Sequence, residues 1–126
     1  MSNPAISVIK VRDILMVTMP SDPDDSTISA LQDGVLRAME RNSAQGLILD
    51  ISAVETLDSF FARTVSETAQ MVTLMGGRTI IVGMQPAVAV TATQMGLTLG
   101  QIETALSVER ALNQFTLPPP SNRRRR

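Results

Sequence analysis

Residues 47–59 read Leu-Ile-Leu-Asp-Ile-Ser-Ala-Val-Glu-Thr-Leu-Asp-Ser, and the rest of the fold can be built outward from them. Leu47, Ile48 and Leu49 form a run with no polar member, which predicts a short strand covered on both faces. Asp50 ends that strand, and a loop crosses the surface. Asp58 or Ser59 then opens a helix, because Phe60 and Phe61 begin a long amphipathic segment. A serine hydroxyl therefore stands at a helix N-terminus, among backbone N–H groups that have no intrahelical acceptor and at the positive end of the helix dipole. Local chemistry allows two readings of Ser59. It is an N-cap, as Ser and Asp commonly are, or it is a substrate hydroxyl on which a kinase leaves a phosphate. Nothing in the neighbouring sequence makes it a nucleophile.

Upstream, Ile6, Val8 and Val11, then Ile14, Met16 and Thr18, alternate around the polar pair Arg12-Asp13. This predicts a β-hairpin with Leu15 and Val17 on its other face. Pro20 ends the second strand, Ser21 to Asp25 is an acidic loop, and Ser26 is placed to cap a helix carrying Ile28, Leu31, Val35 and Met39. That helix ends near Arg41-Asn42, and Gly46 opens the apolar strand. Downstream, Phe61, Val65, Ala69, Val72 and Met75 form one helical stripe that Gly76-Gly77 stops. Arg78 to Val82 is a second buried strand closed by Gly83. Pro86 starts a third helix, with Val88, Ala92 and Met95 inward and Gly96 at its end. A short apolar piece from Ile102 to Leu106 follows. Ser107 caps a last helix bearing Val108, Ala111, Leu112 and Phe115. The order is β-β-α-β-α-β-α-β-α, which implies parallel pairing with right-handed crossovers beside one antiparallel edge. Met39, Met71, Met75 and Met95 fall on or beside helical stripes, so core filling accounts for most of them.

Composition narrows the function. A chain of 126 residues is one domain with a single core. Cys and His are absent, which removes thiol chemistry, the usual general base near neutral pH and the commonest transition-metal ligands. There is no Tyr or Trp, and the three Phe residues are better spent on the core than on stacking bases. With no glycine-rich phosphate loop and no ligand cluster, neither a cofactor nor a metal is expected, and the reading is a protein that is not an enzyme. No apolar run is long enough for a membrane span and no basic-then-apolar leader opens the chain, so a soluble, cytoplasmic protein is expected. The net charge of −1 conceals an asymmetry. Without the four terminal arginines Arg123 to Arg126, seven basic side chains face twelve acidic ones, a net of −5 over residues 1–122. An acidic body does not bind a phosphate backbone. Residues 118–126, three prolines and four arginines with little else, are expected to form a solvated, disordered tail behind a domain at 1–117.

The stretch Asp50-Ile51-Ser52-Ala53-Val54, continuing to Leu57-Asp58-Ser59, resembles the STAS family, the anti-sigma-factor-antagonist domain. So does Gly76-Gly77-Arg78-Thr79-Ile80-Ile81-Val82-Gly83, followed by Gln85-Pro86-Ala87-Val88 and Met95-Gly96-Leu97. The resemblance runs over about residues 5–116. It implies an α/β fold with a mixed sheet of four to five strands, an antiparallel N-terminal hairpin, otherwise largely parallel pairing, and four helices. It also implies that Ser59 is phosphorylated by a partner kinase, with Asp58 as acidic neighbour and helix cap. Antagonists of the sporulation type follow the serine with a small residue and a glycine. Phe60-Phe61 here, together with Met75-Gly76-Gly77-Arg78 and Gly96-Leu97-Thr98-Leu99, is more similar to the RsbS type, the small STAS subunit of the stressosome. That similarity implies a signalling scaffold of a stress response, homo- and hetero-oligomeric with RsbR-type STAS paralogues. It implies further that such a scaffold holds an RsbT-type serine/threonine kinase until Ser59 is phosphorylated, with Phe60 and Gln85 expected at the kinase interface. The alternatives are a simple antagonist that binds an anti-sigma kinase one-to-one, and a nucleotide- or ligand-binding domain of the same fold.

Overall fold

Two residues suffice to reverse the chain at its first turn, because Arg12 takes a left-handed backbone (φ 58°). The computed structural model, which describes residues 6–95 and 102–119, pairs β1 (Ser7–Val11) antiparallel with β2 (Ile14–Thr18) across that turn. The chain continues through α1 (Asp25–Asn42), β3 (Gly46–Asp50), α2 (Ser59–Leu74), β4 (Arg78–Val82), α3 (Pro86–Gln94), β5 (Ile102–Ala105) and α4 (Val108–Gln114). The strands lie in the order β1-β2-β3-β4-β5, with every pair after the first parallel. The expected element order and mixed sheet are both present.

Alternate residues of each central strand serve two cores. Leu15, Val17, Leu47, Leu49 and Ile81 face one layer, where Ile28, Leu31 and Val35 of α1 meet Phe61, Val65 and Val72 of α2 and Val88 of α3. Ile14, Ile48, Ile80 and Val82 face the other, covered by Ala111 of α4. This is why the β3 and β4 runs contain almost no polar side chain. Besides Asp50 and Arg78 at the strand ends, Thr79 is the exception. It is 2% exposed, and its hydroxyl is the one buried side-chain oxygen among the described residues without a hydrogen-bond partner. Thr79→Val removes that unmade hydrogen bond at nearly constant shape, and is expected to stabilise the protein by about 1 kcal/mol or more. The check is a higher urea midpoint at an unchanged slope; a lower midpoint would contradict it.

Leu15 and Val17 lie on the opposite face of β2 from Ile14 and Met16, as expected, and theirs is the deeper face (1% and 0% exposed), because two long helices cover it and only the seven-residue α4 covers the other. Three details differ from expectation. The cap of α1 is Asp24, not Ser26: its carboxylate accepts the Thr27 N–H at 2.8 Å, and the Ser26 hydroxyl donates to the same oxygen. A carboxylate accepts at a helix N-terminus more strongly than a neutral hydroxyl, so the helix begins one residue before the serine. The bond from the Thr27 N–H, aided by the Thr27 and Ser26 hydroxyls, holds the Asp24 carboxyl below its ordinary value. Met75 leaves the stripe of α2, since the Gly76 and Gly77 N–H groups bond back to Thr73 and Val72 and Gly76 turns left-handed (φ 93°). As the C-cap of α2, Met75 is 47% exposed, and Met95, the C-cap of α3, is 41% exposed. Among the described residues Met19 and Met39 are the fully buried methionines, and Met16 and Met84 pack partly against the cores. The expected helix end at Gly96, the Gly96-Leu97-Thr98-Leu99 run and the tail from residue 120 lie outside the described residues.

Candidate functional site

Because β2, β3, β4 and β5 run in parallel, the loops that follow them leave the same edge of the sheet. The loop after β3 is pinned there from several sides. The Asp50 carbonyl accepts the Met19 N–H at 3.0 Å, and the Ile51 N–H reaches the Val82 carbonyl at 3.0 Å. The Asp50 carboxylate accepts the Ser52 N–H at 2.9 Å and turns the chain, and the Val54 N–H bonds the Ile51 carbonyl at 3.0 Å. Ile51 and Val54 are 4% and 0% exposed, two apolar anchors that hold the loop onto the core. From the neighbouring loop, the Gln85 side-chain amide donates to the Ser52 carbonyl at 2.8 Å. Gly83 (φ 75°) admits the close approach; a Cβ there would lie 2.7 Å from that of Ser52.

The loop delivers the chain to Asp58, which adopts an extended backbone (φ −102°, ψ 175°) and caps α2. Its carboxylate accepts the Phe61 N–H at 2.8 Å, while its carbonyl accepts the Ala62 N–H at 3.0 Å. Ser59 is the first residue of α2 and is exposed, and its hydroxyl bonds no other described residue. The two local readings therefore separate: the capping role belongs to Asp58, and Ser59 is left with a hydroxyl that nothing in the fold uses. Phe60 is half-buried against the rim of the main core, and the Arg63 guanidinium lies 6.0 Å from the centre of its ring.

The surroundings offer little to a small molecule. Under the loop, between Leu57, Phe61, Met84 and Val88, an apolar void of about 20 Å³ has room for no ligand. A wider depression along Glu109, Arg110, Asn113 and Gln114 is open surface on α4, across the sheet from α2. Among the described residues no group of His, Cys, Asp and Glu is arranged to hold a metal ion, and no helix is long and apolar enough to cross a membrane. What the arrangement can do is present the Ser59 hydroxyl, beside a carboxylate and an aromatic ring, at the end of a pinned loop. Sequence reading missed the close approach of Ser52 at Gly83, the brace that Gln85 forms on Ser52, and Arg63. For Arg63 a signal was there, since it lies four residues after Ser59, one helical turn further on.

Comparison with known proteins agrees with this geometry. The STAS domain family model matches residues 5–111. The RsbT co-antagonist protein RsbRB of Bacillus subtilis is 26% identical over 113 residues, which are 90% of this chain and 40% of that protein. The chain thus spans about two fifths of the length of that relative. A serine-to-glutamate variant of RsbS from Moorella thermoacetica is 32% identical, with a TM-score of 0.79 over 88% of this chain and 94% of that one. A chain from a structure of the stressosome, described there as a signal integration and transduction hub, is 30% identical. Its TM-score is 0.75 over 94% of this chain and all of that one (100%).

Proposed function

This chain belongs to the STAS domain family, and from that premise we propose that it is a non-catalytic, phosphorylatable scaffold of the RsbS type. It co-assembles with RsbR-type STAS paralogues in the cytoplasm and holds an RsbT-type serine/threonine kinase until Ser59 carries a phosphate. The observation that carries this reading is the division of labour at the start of α2. Asp58 makes the cap hydrogen bond, so the exposed Ser59 hydroxyl is free to be a substrate. The likeness to RsbS and to a stressosome chain supports the scaffold role, and the name of the RsbRB relative supports a kinase of the RsbT type as the captive. In this role Phe60, beside the serine on the same exposed turn, contacts the kinase. Gln85 acts behind it, keeping the loop in place through Ser52.

Incubation with an RsbT-type kinase and ATP, followed by intact mass and phosphopeptide mapping, tests the site. One phosphate on the peptide containing Ser59 is expected, and none on the Ser59→Ala protein. Size-exclusion chromatography with an RsbR-type paralogue tests the scaffold. Co-elution in a large assembly is expected, whereas a one-to-one complex with a kinase and no association with the paralogue would favour a simple antagonist.

A further inference from the structure

We propose that Arg63 is the internal counter-ion of a phosphate on Ser59, and that forming this pair lifts its guanidinium from the Phe60 ring. The proposal rests on Ser59 being phosphorylated. Ser59 and Arg63 are four residues apart on α2, so their side chains project from the same face one turn apart, with the acidic member N-terminal, the better order for such a pair. Arg63 is exposed and forms no ion pair among the described residues, although Glu67 stands a further four positions along the helix. Its one specific contact is the Phe60 ring, at 6.0 Å. An exposed guanidinium–ring contact is weaker than a two-pronged, charge-assisted hydrogen bond to phosphate oxygens, so the phosphate wins the guanidinium. Phosphorylation then changes two features that a partner meets on this turn: it adds negative charge, and it bares the face of Phe60. An aspartate at position 59 is shorter and offers one charge and two oxygens, so it reproduces the exchange incompletely.

The test needs no kinase. Phosphoserine is installed at position 59 of the full chain during synthesis, and the phosphate is titrated by phosphorus NMR in the wild-type background and with Arg63→Gln or Arg63→Lys. Glu55 and Asp58, the other charged groups of that loop and cap, are common to all three proteins. Arg63→Gln is expected to raise the second pKa of the phosphate by roughly 0.3 units or more, and Arg63→Lys to restore most of the difference. With three Phe and no Tyr or Trp, the ring spectrum is simple to assign. On phosphorylation the Phe60 resonances should move toward their positions in unmodified Arg63→Gln. An unchanged phosphate pKa in Arg63→Gln overturns the pairing, and an unmoved Phe60 ring overturns its release. A failed kinase assay would count against the proposed function and leave this comparison standing.

Discussion

Arg78→Ala is expected to destabilise the protein by about 3–5 kcal/mol, lowering the melting temperature by roughly 10–20 °C. Arg78 opens β4, and its Nε and Nη2 clasp the Glu103 carboxylate of β5 at 2.8 and 2.7 Å. The two side chains are only 20% and 9% exposed. The same guanidinium donates to the Leu117 carbonyl at 2.7 Å and the Gln114 carbonyl at 3.3 Å, and lies 5.4 Å from the centre of the Phe115 ring. Phe115 in turn rests on Gly46 of β3, where a Cβ would run into the ring. One side chain thus ties the end of α4 to the middle of the sheet. Its loss strands a largely buried carboxylate, which is the costly way to break such a pair. Replacing both partners by apolar residues of similar volume, Arg78→Met with Glu103→Leu, is expected to recover much of the loss. Urea unfolding of the single and double variants decides the matter. A loss below about 1 kcal/mol for Arg78→Ala, or a double variant as unstable as the single, would contradict this account.

That clasp also marks what could not be read along the chain. Local patterns reported the backbone well: the apolar runs at 47–49 and 80–82 are strands because both faces are covered, Gly76-Gly77 stops α2, and Arg12-Asp13 turns the hairpin. Arg78 and Glu103 are 25 residues apart and on different strands, and no periodicity connects them. The Gln85 brace on Ser52 spans 33 residues and is hidden for the same reason. At the candidate site the sequence left Asp58 and Ser59 as rivals for one cap. Both residue types can fill that role, and the geometry of the turn gives it to Asp58. Met75 and Met95 failed as core residues because each is the C-cap of its helix, at the margin of the layer the helix packs on.

Phosphorylation of Ser59 is expected to weaken kinase capture by at least about a hundredfold, without unfolding the domain. A phosphoserine carries about −1.5 to −2 charges at neutral pH. While Ser59 faces water, high dielectric and salt screen the repulsion from Asp58 to about 1 kcal/mol, and the positive end of α2 offsets a similar amount. A kinase that covers the site removes that water, and an imperfectly paired buried charge costs several kcal/mol, with each 1.4 kcal/mol a factor of ten in affinity. The fold is therefore expected to tolerate the phosphate, and a kinase interface over Ser59 is not. Ser59→Ala should keep the kinase bound. Ser59→Asp should weaken it less than phosphate does, because it brings one charge. Isothermal titration calorimetry of an RsbT-type kinase against the wild type, Ser59→Ala, Ser59→Asp and the phosphorylated protein is the direct test. Tight binding by the first two, weaker binding by the third and the weakest by the last is the expected order; equal affinity across all four would leave Ser59 as no more than the first residue of a helix.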